Sequence, residues 1–273
     1  GNTLKELEQL KEAELSYRQA IAVNPDYTEA YSNLGLTLQD LDRLEEAEVV
    51  YRKAIAVNPD YAQAYSNLGV TLKELGRLEE AEVSYREAIK IESNFIEAHN
   101  NLGVTLKDLG RSDEAEVIFR QTIEINPEFA EAYNNLGLTL QELGRLNEAE
   151  ASYRKASELK PDYADAYYNL GLLLYETKQY EKAIEYFKLH PSEKSKSYLL
   201  RCLYLQDKES LFFDQLDYFI NLGEINPMIG SLGCRSALKY GVEKPNLFCK
   251  DPLKYVLKTD LNSKYDFEKI FVK

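Results

Sequence analysis

Residues 28–61 read TEAYSNLGLTLQDLDRLEEAEVVYRKAIAVNPDY, and residues 62–95 repeat them as AQAYSNLGVTLKELGRLEEAEVSYREAIKIESNF. Aligned on these two lines, the triplet Asn-Leu-Gly recurs at Asn33, Asn67, Asn101, Asn135 and Asn169, 34 residues apart each time. A fixed period of that length marks an array in which each unit buries its apolar face against its neighbours, with no single central core. Within one unit Tyr31, Leu34, Gly35 and Leu38 fall at helical spacing, and so do Ala47, Tyr51, Ala54 and Ile55. The pattern predicts two antiparallel helices per unit and an all-α solenoid.

Punctuation residues agree with that division. Asp26/Glu29, Asp60/Gln63 and Asn94/Glu97 are placed to form capping boxes ahead of each first helix. Gly76, Gly110 and Gly144 stand where a left-handed residue ends the first helix, and Pro25, Pro59, Pro127 and Pro161 close the second. Small and large residues alternate for a packing reason. Gly35, Gly69, Gly103, Gly137 and Gly171 admit a close neighbour, as do Ala47, Ala81, Ala115, Ala149 and Ala183, and Tyr51, Tyr85, Phe119, Tyr153 and Phe187 fill the space between them.

Five full units begin at Thr28, Ala62, Ile96, Ala130 and Ala164, preceded by a partial unit over residues 1–27. The fifth is irregular, with His190 near the end of its second helix and Ser195 at the proline position. Gly1 falls mid-repeat, so further sequence is expected ahead of it. The array is assigned to residues 1–197. Beyond it the period fails, but helical patterns continue over 197–205, 211–222 and 228–240. Residues 198–273 are read as an irregular helical extension capping the apolar end of the stack.

The quoted residues resemble the tetratricopeptide repeat (TPR) motif, with Tyr31 and its equivalents where Trp is usual. The resemblance covers residues 1 to 197 and implies a right-handed superhelix whose first helices line a concave groove. The stretch from Ile225-Asn226-Pro227-Met228 to Pro252-Leu253-Lys254-Tyr255-Val256 is similar to a junction in bacterial TPR proteins that continue into a 2-oxoglutarate/iron oxygenase-like domain. Such chemistry needs two His and a carboxylate on one iron, and the only histidines here are His99 and His190. His99 replaces the first-helix tyrosine of its unit and reads as a packed core residue. The glycines form no phosphate-binding loop. No active site, metal or cofactor is expected.

Charge narrows the partner. Residues 1–197 carry 22 Lys+Arg against 36 Asp+Glu, and residues 198–273 carry 11 against 10. An acidic array repels phosphate backbones, which excludes nucleic acid. No apolar run is long enough to cross a bilayer, and no membrane partner is expected. Cys202, Cys234 and Cys249 have no paired spacing and read as reduced thiols of a cytoplasmic protein.

The superhelical TPR region of O-linked N-acetylglucosamine transferase carries a row of groove asparagines, and this array looks like it. That resemblance implies that Asn33, Asn67, Asn101, Asn135 and Asn169 hold the backbone of an extended peptide, each amide offering one acceptor and two donors. Ser32, Ser66, Asn100, Asn134 and Tyr168 flank the row, and Leu36, Val70, Val104, Leu138 and Leu172 supply an apolar floor. The Lys/Arg clamp of chaperone-binding TPR domains is missing, so a neutral or basic segment is expected. Amide contacts of about 0.5–1.5 kcal/mol each barely offset peptide ordering at about 1–2 kcal/mol per residue. Affinity on the order of micromolar follows. The alternative is a substrate-selecting arm of a larger glycosyltransferase or oxygenase. Self-association through the exposed repeat ends is a third expectation.

Overall fold

The structure, a computed structural model, describes residues 2–223 and 227–241. Among them are fourteen α-helices and no strand. They fall into two compact units, residues 1–161 and residues 162–273. The first holds α1 (Asn2–Val23), α2 (Thr28–Asp40), α3 (Leu44–Val57), α4 (Ala62–Glu74), α5 (Leu78–Ile91), α6 (Ile96–Asp108), α7 (Ser112–Ile125), α8 (Ala130–Glu142) and α9 (Leu146–Leu159). The second holds α10 (Ala164–Glu176), α11 (Tyr180–Leu189), α12 (Glu193–Leu205), α13 (Glu209–Asn221) and α14 (Pro227–Tyr240).

In the first unit each first helix packs on the second helix of its repeat, as α2 on α3 and α4 on α5, and each second helix packs on the next first helix. First helices also touch one another, α2 with α4, α4 with α6 and α6 with α8. The glycines set how close each pair comes. A Cβ on Gly103 would lie 2.6 Å from the Phe119 ring, and Gly35, Gly69 and Gly137 meet Tyr51, Tyr85 and Tyr153 in the same way. These four rings are fully buried. Gly76, Gly110 and Gly144 have φ of 75–76°, as expected, and the non-glycine residues Asp42 and Lys178 adopt φ of 58° and 60° at the equivalent positions of their repeats.

The expected capping boxes do not form. The residue before each first helix is aromatic, Tyr27, Tyr61 or Phe95, and its side chain makes no cap. Asparagines immediately after the second helices order the turn from within: Asn24 Oδ1 accepts from the Asp26 N–H at 3.2 Å, Asn58 from Asp60 at 3.1 Å and Asn126 from Glu128 at 3.0 Å. An Asx turn of this kind fixes the backbone before the helix begins, which leaves the Asp side chain no capping role.

The second unit departs from the period once and then returns to it. Helix α11 has 10 residues where its counterparts have 14, and Pro191 therefore does the work the period assigns to residue 195. Ser192 then caps α12 in a true capping box with Ser195, which is fully buried. Helix α12 runs continuously through residue 197. It packs on α10, α11 and α13 and meets α14, the same neighbour pattern as in the first unit. Left-handed residues follow α10, α12 and α14 at Lys178, Asp207 and Gly241, steps of 29 and then 34 residues. Shifted by 29, Gly171, Ala183 and Phe187 become Leu200, Phe212 and Leu216, all buried. Small-small-large has been exchanged for large-large-medium, filling the same interior by different means.

Candidate functional site

One face of the first unit is formed by first helices alone and is left uncovered by the second helices. Three rows run across it. Leu36, Val70, Val104 and Leu138 form an aliphatic row, with Leu36 44% exposed and the other three half-buried. Asp40, Glu74, Asp108 and Glu142 form an acidic row on one side, and Glu29, Glu97 and Glu131, with the neutral Gln63 in line, a second row on the other. Lys73 reaches Asp108 at 3.1 Å and Lys107 reaches Glu142 at 3.4 Å, which neutralises part of the first row. Lys160 lies 2.8 Å from Glu131; burial alone would raise that carboxyl, but the ammonium holds it below the usual range.

The buried aromatics reach this face from below. Tyr51 donates its hydroxyl to Gln39 at 2.6 Å and Tyr153 donates to Gln141 at 3.0 Å. Burial pushes the Tyr51 phenol far above its usual range, and the carboxylates of Asp40 and Glu74 push it further. The negative field of the acidic row is thus felt at the floor.

The asparagines divide into two groups. Asn67 is 7% exposed; its amide donates to Ser32 of the preceding repeat at 3.4 Å and accepts from Gln63 at 2.8 Å. Asn135 donates to Asn100 at 2.9 Å. Both bonds join one first helix to the next, 35 residues away. Ser32, Ser66 and Asn134 are buried beneath the rows. Asn33 is exposed and Asn101 half-buried, and no side-chain hydrogen bond within the described residues engages either amide. In the second unit Asn169 and Tyr168 are half-buried, and Tyr168 packs against Tyr198 and Phe187 with ring centroids 6.1 and 6.3 Å apart. The lateral Asn–Ser and Asn–Asn bonds had no signal in a single repeat, because each needs two residues from different lines of the alignment.

Among the described residues no group of three His, Cys, Asp or Glu is placed to hold a metal ion. His99 sits in the core and His190 packs against Tyr167, the rings tilted with centroids 4.3 Å apart. Burial pushes the Cys202 thiol up to about 12, which makes it inert. No helix among the described residues is long and apolar enough to cross a membrane. The proposed oxygenase-like junction lies largely outside the described residues, as does everything after Gly241.

Comparison with known proteins agrees with this geometry. A profile described as TPR repeat matches residues 1–42 and 141–178. Profiles described as tetratricopeptide repeat match residues 26–92 and, for a second profile, 84–117 and 118–151. Together they cover residues 1–178. The chain belongs to the tetratricopeptide repeat family. Solved TPR-type structures superpose on it. PilF of Pseudomonas aeruginosa is 22% identical over 76% of this chain and 97% of its own, with a TM-score of 0.64. The type IV pilus biogenesis factor PilW is 17% identical over 75% and 97%, with a TM-score of 0.65. YrrB, described as a TPR protein with an unusual peptide-binding site, is 25% identical over 70% and 97%, with a TM-score of 0.55. No curated protein matches the chain. TPR folds serve as protein-interaction modules, and that is the functional class of this array.

Proposed function

We propose that the first-helix face of residues 28–142 binds an extended polypeptide segment whose side chains are aliphatic and basic. The observation that carries this reading is the aliphatic row Leu36, Val70, Val104 and Leu138, accessible between two rows rich in carboxylates. Apolar side chains of the ligand settle on the row, and its Lys or Arg side chains meet the carboxylates on either side. Asn33 and Asn101 offer their unengaged amides to the ligand backbone. Asn67 and Asn135 hold the first helices in register, so that the rows stay straight. The likeness to YrrB, itself described with a peptide-binding site, supports a peptide as the ligand class.

The chain should bind a fluorescein-labelled peptide of alternating Val and Lys with a Kd on the order of micromolar, and an alternating Val and Glu peptide at least tenfold more weakly. Replacing Val70→Lys together with Val104→Lys should weaken the Val/Lys peptide at least tenfold with the circular dichroism spectrum unchanged. Anisotropy titrations that rank the two peptides equally, or that leave the double variant unaffected, remove the proposal.

A further inference from the structure

Polar groups beside the aliphatic row fall into two states that alternate along the first unit. In the second repeat Gln63 donates to Asn67 at 2.8 Å, and Asn67 in turn donates to Ser32 at 3.4 Å. In the fourth, Lys160 holds Glu131 at 2.8 Å and Asn135 donates to Asn100 at 2.9 Å. Both repeats engage these side chains internally. The first and third repeats place Glu29 and Glu97 where the second has Gln63, one helical turn ahead of Asn33 and Asn101. A carboxylate has no N–H, so neither glutamate can donate to its asparagine as Gln63 does. The neutralising lysine is missing as well. Asn58 and Asn126 stand 29 residues after Glu29 and Glu97, the separation of Lys160 from Glu131, and their side chains accept from the turns that follow α3 and α7. Glu29 and Glu97 are exposed, and among the described residues no ion pair reaches either one.

Two carboxylate and amide pairs, Glu29 with Asn33 and Glu97 with Asn101, are therefore available on either side of a closed repeat. Their separation follows from the packing. Helices α2, α4 and α6 touch in sequence, and neighbouring helices lie about 8–10 Å apart, which sets the two pairs about 16–20 Å from each other. Six residues of extended ligand span about 19–20 Å, as a β-strand or as a polyproline II helix. Six is also a multiple of both side-chain periods, two and three, so residues i and i+6 point the same way in either conformation. Four residues fall short at about 13 Å, and eight overshoot at about 26 Å.

Resting on the peptide-binding proposal above, we infer that the partner segment carries two basic side chains six residues apart, gripped at the first and third repeats. One cation meets Glu29 and the other Glu97, and Asn33 and Asn101 hold the ligand backbone beside them. The second repeat offers the ligand Val70 and no free polar group at Asn67 or Gln63. Spacing of charge, and not its amount alone, selects the partner.

The test uses the whole chain and three fluorescein-labelled peptides of one composition, Val and Ala with two Lys placed four, six or eight residues apart. In anisotropy titrations the six-residue isomer should bind at least threefold more tightly than the other two. It should also shift the side-chain amide NMR signals of Asn33 and Asn101 and leave those of Asn67 and Asn135 in place. Glu97→Gln copies the residue of the second repeat at an exposed position, so it should keep the melting temperature and erase the preference among isomers. Glu131→Gln, at a carboxylate already paired, should leave the preference intact. Equal affinity of the three isomers, a preference that survives Glu97→Gln or is lost in Glu131→Gln, or shifts at Asn67 and Asn135 instead overturns the two-point grip. Peptide binding itself then still stands if the alternating Val and Lys peptide is captured, whereas failure to capture that peptide removes both.

Discussion

At the scale of single residues, the asparagine row shows how one residue type at one position meets two environments. Asn67 is buried with both ends of its amide occupied, whereas Asn101, 34 residues on, is half-buried with its amide free. Asn67→Ala should therefore cost about 1–3 kcal/mol, because it strands the buried Ser32 hydroxyl. Asn101→Ala should stay within about 0.5 kcal/mol and weaken capture of the Val/Lys peptide instead. Denaturant melts and anisotropy on the two variants separate these outcomes; matching losses of stability would refute the division. The row itself was legible in the sequence because it repeats. Its division was not, since the partners of Asn67 and Asn135, Ser32 and Asn100, differ in kind between repeats. The capping boxes misled for a related reason: Asp26 and Glu29 have the right spacing, but the Asn24 turn has already ordered the backbone ahead of them.

At the scale of helices, the clearest lesson is the pair α12 and α13. Helix positions in this segment were readable from apolar spacing, and α13 and α14 lie close to where that spacing put them. Their kinship with the repeats was hidden, because one helical turn is lost from α11 and the glycine and alanine that mark a repeat have become Leu200 and Phe212. A motif defined by small residues is invisible once the volume has moved to the other side of the interface. Phe212 now fills the space and is fully buried with ring contacts to Tyr204 and Phe213. Phe212→Ala should cost about 3–5 kcal/mol, read as loss of amide-exchange protection in α12 and α13. A loss below about 1 kcal/mol would mean that the pair is not packed as a repeat.

At the scale of the molecule, ion pairs tie the repeats of the first unit together. Arg43 bonds Glu14 of the preceding repeat and Glu46 of its own, both at 2.6 Å. Arg77 does the same with Glu48 and Glu80, Arg111 with Glu82 and Glu114, and Arg145 with Glu116 and Glu148. The pairs within one helix, such as Glu14 with Arg18, were evident from spacing alone; the links 29 residues apart were not. Burial would raise the Glu14 and Glu82 carboxyls, but their arginines pull them below the ordinary 4.5. Arginine hydrogen bonds foremost, with the attraction of the arginine charges beside them, lower Glu46, Glu80, Glu114 and Glu148. A carboxylate whose folded value is depressed contributes stability that is full above its unfolded value and lost as pH falls through the folded one. The melting temperature should thus hold from neutral pH to about 5 and fall below about 4. Arg77→Met with Arg111→Met should flatten that fall, and an unchanged acid limb would show that the ladder contributes nothing.

The ladder meets each junction with the same chemistry, and this has an evolutionary consequence. Excising residues 62–95 would set Glu48 opposite Arg111 and Asn101 beside Ser32, joints of the same kind as those removed. Unequal crossing-over in the gene could therefore add or drop whole blocks without a compensating mutation at the seam. Copy number in this stretch becomes a heritable trait, adjustable in units of one block, and the length of the first-helix face scales with it.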